Sequence, residues 1–164
     1  SPLYGRAVIE LEVPKFNEEE TRTFLLEGFK QIQRKISLEE IKEVITNFNG
    51  IIGWATQYGW FRSQGKSHQQ AISIVIEEGI KLTRSELDTF LANRNKSRYL
   101  KLLRGIAKGY NQWNLLKHQF VREKSSVSDR QLDLYLTELQ NYGFIIKINE
   151  NYFLTDPLLL RSVI

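Results

Sequence analysis

Apolar residues recur through the first half of the chain at the three- and four-residue spacing of an α-helix with one buried side. Leu25, Phe29 and Ile32 follow this spacing. Asn17 stands before three consecutive glutamates, and such a residue caps a helix whose dipole favours negative charge in the first turn. The pattern therefore predicts a first helix over residues 17–33.

A second helix is predicted by its end signals as well as by its apolar positions. Ser37 and Glu40 have the spacing of a capping box, in which each side chain bonds the backbone N–H of the other residue. Val44 and Phe48 continue the buried side, and Gly50 supplies the backbone freedom with which a helix commonly ends.

The next stretch carries a less regular pattern. Aromatic residues at helical spacing predict a packed helix over residues 51–62. Ser67 is predicted to cap another helix that runs to about Leu82, and a separate helix is predicted after Thr83. Residues 72–76 are β-branched and alternating, as in a strand, but the pattern extends past strand length on both sides, which favours a helix.

Three further helices and two short strands follow in an ordered series. Each element has its own start and stop signals, such as Ser128 before the last helix and Gly143 after it. Together they predict a winged helix-turn-helix with a small β-hairpin. The predicted helices cover 97–108, 111–122 and 128–142, and the strands 144–148 and 152–154 flank a turn at 149–151.

One strand is predicted near the start of the chain. Ala7, Ile9 and Leu11 alternate with other residues, and Pro14 ends the alternation. No comparable strand follows before residue 144, and a lone strand is not stable. The predicted fold is therefore mainly α, with a helical region followed by a winged helix-turn-helix. One strand precedes them, and we expect it to belong to a sheet whose other strands are absent from this sequence.

Composition narrows the chemistry. The 164 residues include no cysteine and only two histidines, which excludes disulfides, thiol catalysis and cysteine-ligated metal sites. The chain has no methionine and opens Ser1-Pro2, so we expect a processed product or a fragment. No apolar run approaches the roughly 20 residues of a membrane span, and no signal-peptide pattern opens the chain, which predicts a cytoplasmic protein without a membrane partner.

Positive charge is concentrated in one segment. The whole chain has a formal net charge of +4, but residues 94–124 alone carry nine basic side chains against the single acid Glu123. Such a basic island predicts an anionic partner, either non-specific DNA or an acidic protein surface. The candidate binding residues are Arg98, Lys101, Arg104, Lys108, Lys117, Arg122 and, in the wing, Lys147.

The third helix of the predicted winged helix is poorly suited to reading DNA bases. Helical geometry places Arg130, Leu134, Thr137, Glu138 and Asn141 on its outer face. An exposed leucine beside acids is a poor major-groove surface, because the acids are repelled by phosphate. This face favours contact with protein or with another domain.

One phosphate-binding motif is present only in part. Gly65-Lys66-Ser67 resembles the end of a P-loop, but five residues instead of four separate Gly65 from Gly59. The bulky Trp60 and Phe61 lie between them, and no buried strand leads in. A turn between helices explains these residues better, and we expect no catalysis within this chain alone.

Several short motifs follow one another along the chain in a fixed order. The motifs are Leu3-Tyr4-Gly5-Arg6, Gly50-Ile51-Ile52-Gly53-Trp54, Tyr58-Gly59, Ser128-Asp129-Arg130-Gln131-Leu132 and Tyr142-Gly143-Phe144-Ile145. Their order resembles the C-terminal part of archaeal P-loop ATPases of the AAA/STAND group. In that resemblance a strand follows the first motif, a helical lid contains the next two, and a winged helix contains the last two.

The resemblance implies three units. Residues 1–13 would be the last strand of a P-loop core, 14–93 a helical lid and 94–164 a winged-helix domain. It also implies that Arg6, Gly50 and Gly53 sense nucleotide, although Ile52 stands where the family usually has proline. ATP and magnesium are expected for the parent protein, whose core would be a partner, and no cofactor is expected within this chain.

Two functions remain open from the sequence. The first is a nucleotide-responsive regulatory and interaction module of an archaeal ATPase. The second is a winged-helix DNA-binding regulator of transcription or replication, with a helical accessory domain. The unpartnered strand and the missing methionine favour the first.

Overall fold

The computed structural model describes residues 15–121 and 126–164. The predicted strand before Pro14, together with Arg6, lies outside the described residues, and so does Arg122. Within them the chain forms eight α-helices and one two-stranded antiparallel sheet. The elements are α1 Glu18–Gln31, α2 Leu38–Phe48, α3 Ile52–Ser63, α4 His68–Leu91, α5 Lys96–Ala107, α6 Trp113–Val121, α7 Asp129–Asn141, β1 Ile145–Ile148, β2 Asn151–Leu154 and α8 Pro157–Val163.

Side-chain caps start the helices where the sequence predicts them. Asn17, Ser37, Ser67 and Ser128 each accept a hydrogen bond from the backbone N–H three residues on, and each is completed as a capping box. These boxes satisfy backbone donors that a helix start otherwise leaves unpaired. The four predicted starts are confirmed.

The predicted break at Thr83 is wrong, because α4 runs through it without interruption. The Thr83 side chain is buried, and its hydroxyl donates to the carbonyl of Gly79 at 2.9 Å, one turn earlier. A threonine bonded in this way is satisfied inside a helix and has no need to cap a new one. The helical interpretation of residues 72–76 is confirmed, since Ile72 and Val75 are buried on one side of α4.

Helices α1 to α4 enclose the first of two hydrophobic cores. Tyr58 in α3 is fully buried at its centre, whereas Trp60 is 58% exposed, so the predicted aromatic run is only partly packed. The buried members of this first core are Leu25, Phe29, Ile41, Val44, Phe48, Ala55, Tyr58, Ala71, Ile72, Val75 and Leu158.

Helices α5 to α7 and the hairpin enclose the second core. Its buried members include Leu102, Leu116 and Leu136, one from each helix. The hairpin pairs Ile145 with Leu154, and its turn has two residues with positive φ, Asn149 and Glu150. The predicted turn and strand limits are therefore corrected: residue 151 belongs to β2, and β1 begins at 145 rather than 144.

Helix α8 was not predicted, and it belongs to both cores. The Asp156 carboxylate accepts the backbone N–H of Leu158 at 2.8 Å, and Pro157 occupies the first turn. Leu158 is fully buried in the first core, while Leu159 and Val163 are buried in the second. An aspartate followed by proline is a helix-start signal, so the local sequence did carry a clue.

Candidate functional site

Three predicted basic residues meet in one cleft beside α5. Lys101, Arg104 and Lys108 lie along one side of this helix, and α6 contributes to the opposite wall. The cleft has a volume of about 360 Å³. Its described lining residues are Ser97, Lys101, Arg104, Gly105, Lys108, Tyr110 and Gln119.

The Gln119 amide packs directly on the backbone of α5. A Cβ at Gly105 would come within 2.4 Å of the amide nitrogen Nε2 and 2.7 Å of the amide oxygen, so a larger residue there would require the Gln119 side chain to shift. The Nε2 atom is buried and has no hydrogen-bond acceptor among the described residues. A buried donor without an acceptor costs free energy, and this atom is shielded from solvent.

The three cations are held in different ways. Arg104 donates from Nε to the carbonyl of Val163 at 2.7 Å, which anchors its stem against the end of α8. The Lys101 ammonium lies 5.4 Å from the ring centroid of Phe120. Lys108 is exposed at the C-terminal end of α5. The predicted positive stripe along α5 therefore exists, with one edge in contact with α8.

The other predicted binding residues point elsewhere. Arg98 donates to the Tyr135 hydroxyl at 2.9 Å, toward α7. Lys117 pairs with Asp129 at 2.8 Å, and its ammonium also donates to a backbone carbonyl. Lys147 pairs with the neighbouring Glu150 across the hairpin turn at 3.0 Å. The predicted binding residues are therefore divided among the cleft, the α7 interface and the wing.

The expected outer face of α7 needs one correction. Leu134 is 54% exposed, as predicted, whereas Glu138 is 30% exposed and its carboxylate is bonded to other helices. Its carboxylate accepts from the Tyr99 hydroxyl and, at 3.0 Å, from the Nε of Arg94. The Tyr99 hydrogen bond, with help from Arg94, lowers the pKa of Glu138. This acid therefore stabilises the joint between α5 and α7, and its charge is paired with that of Arg94.

The two glycines predicted to sense nucleotide have different structural roles. Gly50 has φ of +78°, and a Cβ there would lie 1.9 Å from the Phe16 carbonyl oxygen. The chain entering α1 therefore requires glycine at this position. Gly53 lies in the first turn of α3, where a Cβ would meet no atom within 4 Å. Packing explains Gly50 and leaves Gly53 unexplained.

A polar chain that the sequence did not reveal runs between α2, α3 and α4. Arg62 donates to the Tyr58 hydroxyl at 2.8 Å, this hydroxyl contacts Nδ1 of His68 at 2.8 Å, and Nε2 of His68 contacts Glu43 at 2.8 Å. Burial raises the pKa of Tyr58 to about 12. The chain satisfies polar atoms beside the first core, and its members are too far apart in sequence to form a local motif.

Glu40 joins the same chain through a 2.8 Å ion pair with Arg62. Burial raises the pKa of its carboxyl, but the Ser37 N–H and the Arg62 guanidinium outweigh that effect and hold the pKa below its usual value. A second cleft of about 450 Å³ lies on the same region but mixes acidic with basic side chains, so it favours neither sign of ligand.

Two general features limit the site further. Across residues 15–121 and 126–164, no cluster of three or more acidic or histidine side chains could hold a metal ion. Over the same described ranges, none of the helices has the length and apolar character needed to cross a membrane. The basic cleft beside α5, and Gly50 and Gly53 at the start of α3, remain the candidate positions.

Comparison with known families identifies the second half. Residues 93–155 match the family described as the MCM protein C-terminal winged helix-turn-helix domain. The second half is a winged-helix domain. The predicted three helices and hairpin are confirmed, and the predicted domain limits at residues 93 and 94 stay predictions.

One solved structure resembles almost the entire chain. It is a Walker-type ATPase of Pyrococcus abyssi, with a TM-score of 0.79 and 27% sequence identity, matched over 99% of this chain. The match covers 46% of that ATPase, so this chain spans about half its length. No curated protein is significantly similar in sequence. The predicted resemblance to the C-terminal part of an archaeal ATPase is confirmed, while the AAA/STAND grouping stays a prediction.

Proposed function

We propose that this chain is the helical and winged-helix module of an ATP-binding ATPase and acts there as a nucleotide-responsive regulatory and interaction module. The similarity to a Walker-type ATPase over 99% of the chain carries the proposal. ATP and magnesium would be bound by the parent protein, with Arg6, Gly50 and Gly53 near the nucleotide.

The way the two cores are joined supports a module that moves as one body. Helix α4 contributes Ile72 and Val75 to the first core, and Leu87 and Phe90 to the second. Helix α8, with only seven residues, also contributes buried side chains to both cores. Two shared helices resist hinge motion, because any rotation between the cores would expose buried side chains. A displacement of the helical region would therefore displace the winged helix as well.

Polar contacts strengthen the same joint. The indole N–H of Trp54 in α3 donates to the Asp156 carboxylate before α8 at 2.9 Å. Arg161 in α8 donates to Asn47 in α2 at 2.7 Å. These bonds connect the end of the chain to the helices nearest Gly50 and Gly53. They provide a physical route by which nucleotide state could set the position of the winged helix.

The experiment uses the complete gene product that contains this chain. Lys66→Cys and Thr137→Cys place one dye each on exposed residues of the helical region and of α7. This chain has no cysteine of its own, and any cysteine elsewhere in the gene product is first replaced by serine. Energy transfer to a bound fluorescent ATP analogue should change at both dyes when ATP is replaced by ADP. Energy transfer between the two dyes should stay constant.

The controls separate the two parts of the proposal. If the complete gene product binds no ATP, the ATPase assignment is wrong. If ATP binds but neither dye responds to nucleotide, the module is not nucleotide-responsive. A nucleotide-dependent change between the two dyes would refute movement as one body.

A further inference from the structure

We infer that the exposed side of α3 is the surface on which the ATP-binding part of the parent protein docks, with the Trp60 indole as its anchor. The inference rests on the proposed function, because it names the surface through which the module and the nucleotide-binding part meet. It concerns five exposed positions, which we call the α3 face. They are Gly53, Thr56, Gln57, Trp60 and Gln64.

The α3 face is one continuous surface, about 16 Å long at the helical rise of 1.5 Å per residue. Its positions follow the three- and four-residue spacing of a single side of a helix. The opposite side of α3 places Ala55 and Tyr58 in the first core. The exposed residues of this helix therefore lie together, and a single partner can cover all of them.

The α3 face carries no charge, unlike the surfaces of the neighbouring helices. The single charged residue in the α3 sequence is Arg62, which is only 12% exposed and is bonded to Glu40 and to the Tyr58 hydroxyl, each at 2.8 Å. Charged side chains occupy more than half of the exposed positions on α1, α2 and α4. The centres of protein interfaces are depleted of charge, so this pattern is typical of a surface that another protein surface covers.

Trp60 supplies the anchor that such an interface needs. Its side chain is 58% exposed, and its ring contacts Phe61 at a centroid distance of 4.9 Å. A scattered exposed apolar residue needs no explanation. Trp60 differs because it lies on an uncharged surface, and tryptophan is among the residue types that most often dominate binding energy at interfaces. A phosphate-rich partner such as nucleic acid would find no cation on this face.

Gly53 lies on the same side of α3, two turns before Trp60. A Cβ at Gly53 would meet no atom within 4 Å, so nothing in the described residues requires glycine there, although glycine weakens a helix relative to alanine. A partner backbone that approaches closely would require it. The proposed function places Gly53 near the nucleotide, so the ATP-binding part would reach this end of the α3 face.

The similarity to the Walker-type ATPase favours the ATP-binding part as the occupant of the α3 face. The match extends over 99% of this chain but only 46% of that ATPase, so more than half of that protein lies outside the matched part. A partner that reaches Gly53 can continue along the same side of α3 to Trp60. It should present an uncharged surface with an apolar pocket for the indole.

The test measures solvent contact of Trp60 in the complete gene product, labelled with 5-fluorotryptophan. The fluorine chemical shift differs between H₂O and D₂O in proportion to the exposure of the indole, and Trp60→Phe identifies the Trp60 signal by its loss. A docked Trp60 should show almost no difference. An undocked Trp60 should keep its 58% exposure and show more than half of the difference measured for free 5-fluorotryptophan, which would overturn the inference.

A matched pair of charge insertions tests whether the α3 face is what covers Trp60. Gln57→Lys places a cation beside Trp60 and should raise the solvent difference to the undocked value. Ser73→Lys adds the same charge at an exposed position of α4 and should leave the difference small. Circular dichroism of both variants should match the parent, because both positions are exposed and lysine is a good helix former. Equal solvent differences in the two variants would overturn the inference.

Two further measurements separate this inference from a second copy and from the proposed function. If Trp60 becomes exposed on dilution while light scattering shows the mass halving, a second copy covers the α3 face and the inference is wrong. If the complete gene product binds ATP while Trp60 stays exposed, the inference fails and the proposed function stands. If Trp60 is covered but no ATP binds, the proposed function fails, and so does the ATP-binding part as the occupant.

Discussion

Replacing either of two adjacent leucines in α8 should lower the stability of both halves of the molecule, which should still unfold in a single transition. Leu158→Ala empties a fully buried site in the first core, and Leu159→Ala a 98% buried site in the second. Leu→Ala changes in cores cost about 2–5 kcal/mol, more where the surroundings cannot close the cavity. If the shared helices make the cores one cooperative unit, each change should destabilise both.

The larger effect is expected at Leu158. Its Cδ1 packs so closely on Gly79 that a Cβ there would lie only 2.2 Å away, and the Trp54 ring borders the same space. A helix backbone and an indole held by Asp156 cannot move inward to fill the cavity. We therefore expect a loss of about 4 kcal/mol in the free energy of unfolding. With a denaturant slope of about 2 kcal/mol per molar, the urea midpoint falls by about 2 M.

The assay uses tryptophans on both sides of the joint. Trp54 and Trp60 report on the helical region, and Trp113 reports on the winged-helix domain. Urea unfolding is followed by fluorescence in the parent chain, in Trp113→Phe, and in a variant that retains Trp113 alone. Leu134→Ala is the control, because that leucine is 54% exposed and its loss should cost less than about 0.5 kcal/mol. A Leu158→Ala shift seen by Trp60 but not by Trp113 would show that the cores unfold separately.

Two further predictions concern single positions. Gly50→Ala should unfold the helical region or lower its melting temperature sharply, because the new Cβ would clash with the Phe16 backbone. Gly53→Ala should fold, and its free energy of unfolding should rise by a few tenths of a kcal/mol. Equal melting temperatures for the two variants would contradict this prediction. Glu138 has a lowered pKa in the fold, so its contribution to stability is present above its unfolded pKa of about 4.3 and is lost as the pH falls through the folded value. Glu138→Gln should therefore be less stable than the parent at pH 7, with a shallower decline in urea midpoint from pH 5 to pH 3, and an unchanged decline would contradict the assignment.

The predictions that succeeded depend on signals acting over a few residues. A serine or asparagine cap acts on a backbone N–H three residues away, which is why four helix starts could be located. Helical periodicity likewise identified the α5 stripe and the exposure of Leu134. Turn residues predicted the hairpin to within one residue at each strand start, since a two-residue turn and a three-residue turn differ little in composition.

The predictions that failed depend on partners far along the chain. Thr83 carries a cap-like side chain, but burial against the rest of the fold decided that α4 continues. Glu138 lies on a polar side of α7, yet its carboxylate pairs with Arg94, which is 44 residues away in the sequence. The separation of the predicted binding residues likewise depended on which cations met Tyr135, Asp129 or Glu150.

The sequence by itself determined the mainly helical class, most element starts, the winged helix and the concentration of positive charge. Only the tertiary structure decided that α4 and α8 belong to both cores, and that Lys101, Arg104 and Lys108 share a cleft with Gln119. Caps, turns and periodicity are local interactions that the order of residues expresses directly. Core membership and polar pairing depend on which distant surfaces meet, and packing sets those contacts only when the whole chain folds.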